Sequence, residues 1–211
     1  MKRMINKRNI SVLYILFIIA ILSAIGLFNP DESGSNDNQP KPQVNLRGIS
    51  KDFSVKEIES IPDFLMRDKD NWGFFGHSTI RHDYEVKRIN KDKVVIDHAT
   101  GLMWHQHGAM NDMNWNKAKE WVDGLNIRAY AGYSDWRLPT VEEAASLMEP
   151  EKKNGVLFID SVFYSIQAWI WTGDKCGSGK AWSVNYKRGQ VAWHFIVIEN
   201  YVRPVRLGLD R

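Results

Sequence analysis

Residues Ile10 to Phe28, ISVLYILFIIAILSAIGLF, form an uncharged apolar run of 19 residues. As a helix this run would rise about 28 Å, close to the roughly 30 Å hydrocarbon core of a bilayer. Within a bilayer a helix satisfies all its backbone groups internally. Lys2, Arg3, Lys7 and Arg8 precede the run, and Asn29, Pro30, Asp31 and Glu32 follow it. The positive-inside bias then predicts a single-pass anchor in the cytoplasmic (inner) membrane. Residues 1–9 would stay inside, and everything after Phe28 would face the periplasm or the cell exterior. A cleaved signal peptide shares the basic start, and Ala24-Ile25-Gly26 would serve as its cleavage site. Its apolar core usually spans only about 7–15 residues, so the length favours the anchor.

The net charge of +3 belongs to this leader, because after Phe28 there are 24 Lys and Arg against 25 Asp and Glu. The exported part is nearly neutral, which argues against nucleic acid as a partner. It is long enough for one domain with a sizeable core. Cys176 is the only cysteine, so no internal disulfide can form and stability must come from packing. Nine Trp, from Trp72 to Trp193, supply large apolar surfaces for that.

Residues 29–45 are rich in Pro, Asn, Asp, Ser and Gly, with Val44 as their one aliphatic residue, and read as a flexible linker. Residues 46–92 read as an extension packed on the main body. Ser54 with Glu57 forms a capping box, and Pro62 stops the short helix that follows. Trp72, Phe74 and Phe75 suggest packing, but the stretch from Phe64 to Lys91 shows no clear period. Val94-Val95-Ile96 reads as a strand. Ala118, Trp121, Val122 and Leu125 recur at helical spacing behind an Asn114 N-cap. A second capping box, Thr140 with Glu143, starts a helix that Pro150 ends. Period two then takes over at Trp169–Trp171, and Ala181–Tyr186 and Val191–Phe195 flank a Gly189 turn as a hairpin.

Four motifs follow one another in order. They are Thr100-Gly101-Leu102-Met103-Trp104, then Gly132-Tyr133-Ser134-Asp135-Trp136-Arg137-Leu138-Pro139-Thr140, then Ala181-Trp182-Ser183-Val184-Asn185, then Tyr201-Val202-Arg203-Pro204-Val205-Arg206. Together they make residues 93–207 resemble the Lcl C-terminal domain family of bacterial exported domains. The resemblance implies a C-type-lectin-like fold. With the helices and meander read above, the expected class is α+β: two helices and a small antiparallel sheet behind the N-terminal transmembrane helix. Some members resemble adhesins that bind polyanionic glycans and trimerise, so a homo-oligomer is one option. A collagen-like repeat, which such adhesins carry, is missing here. Fold alone does not fix function.

Asp135 and Arg137 lie two apart before a capped helix and could pair or hold backbone groups, with Trp136 pointing into the core. Trp104, Asp135, Trp136 and Arg137 are therefore assigned to maintaining the fold. His105-Gln106-His107 tempts a metal reading, but no nearby ligand completes a known spacing, and neither a metal nor a cofactor is expected. Gly173 to Lys180 superficially suggests a phosphate loop, yet Ala181 stands where Ser or Thr is needed. An enzyme of the formylglycine-generating oxidase type would need paired cysteines, so an enzyme is not expected. The leading reading is a membrane-anchored binding module for a glycan or an envelope protein, with a structural or sensor subunit of an envelope complex, or further down a divergent relative of the formylglycine-generating oxidases, as the alternatives. Lys187, Arg188, Trp193 and His194 on the late hairpin are the candidate ligand contacts.

Overall fold

The computed structural model describes residues 44–208. The apolar run at 10–28, and with it the expected anchor, lies outside the described residues. Among the described residues no helix is long and apolar enough to cross a membrane.

Among the described residues three α-helices form where capping groups start them. Helix α1 covers Val55–Ile58, α2 Trp115–Ile127 and α3 Val141–Ser146. Ser54 and Glu57 close a full capping box on α1, and Thr140 and Glu143 another on α3. The Asn114 side chain accepts the Lys117 N–H at the start of α2. On α2 the buried residues Trp115, Ala118, Val122 and Leu125 share one face. Trp121 is only half-buried.

Nine strands are described: β1 Phe64–Lys69, β2 Gly73–Ser78, β3 Tyr84–Ile89, β4 Asp92–Asp97, β5 Leu102–His105, β6 Trp169–Lys175, β7 Lys180–Asn185, β8 Gln190–Phe195 and β9 Val205–Leu207. They make a five-stranded sheet in the order β1-β2-β8-β7-β6 and a four-stranded sheet in the order β3-β4-β5-β9. All the pairings within both sheets are antiparallel.

This corrects the expected fold class. The described residues are mostly β, in two antiparallel sheets, instead of an α+β, C-type-lectin-like body with one small sheet. The segment Phe64–Lys91 holds three strands that the sequence did not show. Gly73 and Gly76 in β2 obscure its pattern, since glycine disfavours strands. Both are needed for close approach: an added Cβ would lie 2.2 Å from the Val191 carbonyl oxygen at Gly73 and 2.5 Å from the Leu65 carbonyl oxygen at Gly76. Through β1, β2 and β3 the extension completes both sheets.

Two cores flank the sheets. In the first, Ile170, Trp182, Val184, Tyr186 and Val191 meet Val95, Trp104 and Val205, with α3 and with Phe53, Ile58 and Ile61 of the extension. In the second, Val94, Ile96 and Met103 meet α2, Trp136 and Trp171. Strand β4 is thus buried on both faces, which explains its unbroken Val-Val-Ile run.

His82 ties the sheets to α3. Its Nε2–H donates to the Ser146 carbonyl oxygen at 2.7 Å, and Nδ1 meets Asp97 Oδ2 at 2.8 Å. A carbonyl only accepts, so Nε2 carries a proton, and an ionised Asp97 carboxylate, which also only accepts, takes a second from Nδ1, making His82 an imidazolium when Asp97 is charged. Burial pulls its pKa down, but the bond and charge of Asp97, with the Ser146 carbonyl, outweigh burial and raise it. The Asp97 pKa is lowered: burial pushes it up, and the His82 bond and charge overcome that. The His82 contribution is complete below the ordinary histidine pKa of about 6.5 and is lost as pH rises through the raised folded value. Asp97 contributes above about pH 4 and loses its share as pH falls through the lowered folded value. Melting temperature should therefore fall as pH rises above about 6.5, and fall less in His82→Gln. Parallel slopes in the two proteins would rule out this linkage.

Candidate functional site

The turn between β1 and β2 builds one wall of a surface cleft. Asp70 Oδ1 accepts the backbone N–H groups of Trp72 at 2.8 Å and Gly73 at 2.9 Å. Gly73 lies opposite Ala192 in the sheet, so Trp72 comes beside Trp193, with ring centroids 5.8 Å apart. Trp72 nevertheless stays 62% exposed. An indole so exposed is unusual, because Trp is highly buried on average.

Across β8 and β7 stands the second wall, Trp169 of β6, whose ring lies 4.4 Å from that of His194. Between the walls opens a cleft of about 180 Å³ lined by Asp70, Trp72, Trp169, Arg188, Gln190, Ala192 and His194. Gln190, Ala192 and His194 alternate along β8, so they share one face of the five-stranded sheet, with Gln190 and Ala192 buried at the cleft floor. Arg188 is exposed, with its guanidinium 5.6 Å from the Phe75 ring centroid. The Gln190 amide has no hydrogen-bond partner among the described residues.

His194 is poised as a donor. Asn200 Nδ2–H donates to its Nδ1 at 3.0 Å. Burial lowers its pKa, against the opposing effect of the Asn200 bond, so the ring is neutral near pH 7. The remaining proton is then on Nε2. The cleft offers two indole surfaces, a cation, a carboxylate, an amide and an imidazole N–H.

The four residues picked from the sequence separate here. Arg188 and His194 line the cleft. Trp193 packs against the first core, carries Lys180 Nζ 3.9 Å above its ring, and borders the cleft only through its contact with Trp72. Lys187 is exposed at the hairpin turn, outside the cleft, with its N–H donating to Asn185 Oδ1. Trp72 and Trp169 were missed as contacts. The Asp-Asn-Trp-Gly string at 70–73 marks a turn that presents an aromatic residue, and was the available signal.

The fold-maintaining residues have the following places. Trp104 is fully buried between the sheets, and Trp136 is 2% exposed. Trp136 Nε1–H donates to the Tyr130 carbonyl oxygen at 2.9 Å, and its backbone exchanges two bonds with the Asn126 amide. Asp135 and Arg137 do not pair with each other. Arg137 forms a bidentate pair with buried Glu143, both contacts 2.7 Å, and Asp135 pairs with Arg206 at 2.7 and 3.2 Å. The Asp135 side chain is 57% exposed, so its loss should matter little.

Arg203 is fully buried. It donates to the carbonyl oxygens of His105, Gln106 and Tyr164, and burial lowers its pKa to about 10. Cys176 is half-buried, and burial raises its thiol pKa against the pull of Lys180, which disfavours a thiolate. Among the described residues no three His, Cys, Asp or Glu converge to hold a metal.

The class defined by this architecture is a two-sheet β domain with an aromatic surface cleft. Residues 93–206 match the Lcl C-terminal domain, and the chain belongs to that family. A search of curated proteins gives no match. The matched segment omits β1, β2 and β3, and with them the Trp72 wall of the cleft.

Proposed function

We propose that the chain is a binding module acting outside the cytoplasm, and that its sheet cleft takes a sugar unit of a glycan. The observation that carries this reading is one cleft lined by the exposed Trp72 and by Trp169 together with Asp70, Arg188, Gln190 and His194. The apolar face of a sugar ring can lie on an indole while its hydroxyls meet Arg188, Gln190, Asp70 and the His194 N–H. The cleft is smaller than the roughly 300–1,000 Å³ of typical small-molecule pockets. It suits one ring of a longer chain. Export is supported by the basic leader and the apolar run that follows it.

A glycan array probed with the purified chain should give sugar hits. Trp72→Ala should abolish them while changing stability by less than about 0.5 kcal/mol, as surface substitutions do. Alkaline phosphatase fused after Arg211 should be active if the domain is exported. Hits that survive in Trp72→Ala would remove the cleft from the reading, and an inactive fusion would remove export.

A protein partner is the second reading, favoured by one feature. Phe195, Val197 and Ile198 are 52%, 76% and 39% exposed just beyond the cleft. Contiguous exposed apolar groups of this kind mark interaction surfaces. Loss of a captured envelope protein in Val197→Asp, with no sugar hit on the array, would favour it.

A further inference from the structure

A second cleft, of about 620 Å³, opens between the β3–β4 hairpin and the C-terminal end of α2. Its charge is one-sided. Arg88, Lys91, Lys93 and Arg128 line it, against the single carboxylate of Asp92. Asp92 is already engaged, accepting the Ala131 N–H at 2.8 Å and lying 4.0 Å from Arg128. The overall balance of the exported chain is neutral, so this local surplus is not a reflection of composition.

His105 lies at the back of this cleft and is only 6% exposed. Its Nδ1 accepts the Gly108 N–H at 2.9 Å. Burial, then the charges of Arg203 and Arg128, hold its pKa near about 3, so the ring is neutral. Its one proton is therefore on Nε2. That N–H has no hydrogen-bond partner among the described residues. The ring cannot easily turn away, because it stacks on Tyr130 at 4.2 Å and 12°. Tyr130 is held in turn by two bonds to the Lys93 backbone, at 2.8 and 3.2 Å. Nε2 does not belong to the buried polar atoms left without a partner, so this fixed donor opens onto the cleft, where a ligand can accept from it.

The rest of the lining is mostly apolar and aromatic, with Asn111 and His107 as its polar members. Met110 is 60% exposed, and Trp121 is half-buried beside His105 with ring centroids 5.8 Å apart. The volume falls within the range of small-molecule sites and exceeds what a bare inorganic anion needs.

We propose that this cleft binds a small organic ester of a tetrahedral oxyanion, phosphate or sulfate, with the anionic group on Lys93, Arg128 and the His105 Nε2–H and an apolar or aromatic body against Trp121 and Met110. Arg88 and Lys91 add to the positive field at the mouth. The site is separate from the sheet cleft and does not depend on the glycan reading.

Phenyl phosphate and phenyl sulfate are suitable probes, titrated calorimetrically into the full purified chain at low salt. At least one should bind, more tightly than inorganic phosphate or sulfate, while phenol should not bind measurably. Affinity should fall as salt is raised. Lys93→Gln with Arg128→Gln should weaken binding by about tenfold or more, the scale of losing one charge-assisted hydrogen bond. Lys56→Gln with Lys69→Gln, two exposed lysines outside the cleft, should leave it unchanged. Because His105 is buried and its replacement risks unfolding, its role is better read without mutation: the His105 Nε2 resonance of nitrogen-labelled protein should shift when the ester is added. Three results would each overturn the proposal. They are no binding of either ester, equal loss in both double variants, and a free anion that binds as tightly as its ester.

Discussion

Asp174→Ala should destabilise the fold by about 3–5 kcal/mol, the usual cost of removing one partner from a buried ion pair. Asp174 in β6 is fully buried and accepts four bonds. Arg47 Nη1 and Nη2 donate at 2.9 and 2.7 Å, the Lys51 N–H at 2.8 Å and the Val141 N–H at 2.6 Å. One carboxylate thus joins the start of the described chain, the five-stranded sheet and the first turn of α3. Its removal leaves two backbone donors without an acceptor and Arg47 with only Glu142, at 3.2 Å, as a counter-charge. For a domain of this size the melting temperature should drop by roughly 6–20 °C. Asp174→Asn keeps an acceptor oxygen and should cost less. Urea denaturation of the three proteins measures this directly, and a loss under about 1 kcal/mol for the alanine variant would show that the chain closes around the gap.

How much of this arrangement is legible in the sequence depends on how far apart the interacting residues lie. The caps at Ser54, Asn114 and Thr140 are local, each settled within three residues, and were read in place. The β7–β8 hairpin is local too. The sheets are not. Strand β2 reaches β8 over more than a hundred residues, and its glycines serve backbone approach, which leaves no alternating pattern to read. With β1, β2 and β3 unseen, two well-marked helices dominated the expectation and the β content was underestimated. The same distance effect governs the cleft. Arg188 and His194 were visible on a late hairpin, but Trp72 arrives from the far end of the chain. Strand alternation could have separated Trp193 from His194, since adjacent strand residues face opposite sides. The Asp135–Arg137 pairing failed for a related reason. β9 supplies Arg206 and the α3 capping box supplies Glu143, and both are better placed than a neighbour two residues away.

Trp104 and Trp182 should respond alike to alanine and differently to phenylalanine. Both are fully buried in the first core. Replacing either with Ala removes a large apolar side chain and leaves a cavity, at a cost of about 3–5 kcal/mol. Their indole N–H groups differ. Trp182 Nε1–H donates to the Phe53 carbonyl oxygen at 2.6 Å, fastening the extension to β7. Trp104 Nε1 is buried with no partner among the described residues, although its ring packs edge-on to Phe163 at 6.4 Å. Phenylalanine fills most of the space at both sites but carries no donor. At Trp182 it breaks a buried hydrogen bond and strands a carbonyl. At Trp104 it removes a donor that the fold leaves unsatisfied, which offsets part of the lost packing. Trp182→Phe should therefore cost about 1–3 kcal/mol more than Trp104→Phe. Urea midpoints at unchanged m give both values. Equal losses would mean that the Trp104 N–H is satisfied in solution, most simply by a buried water, and that its ring is held by that bond as well as by packing.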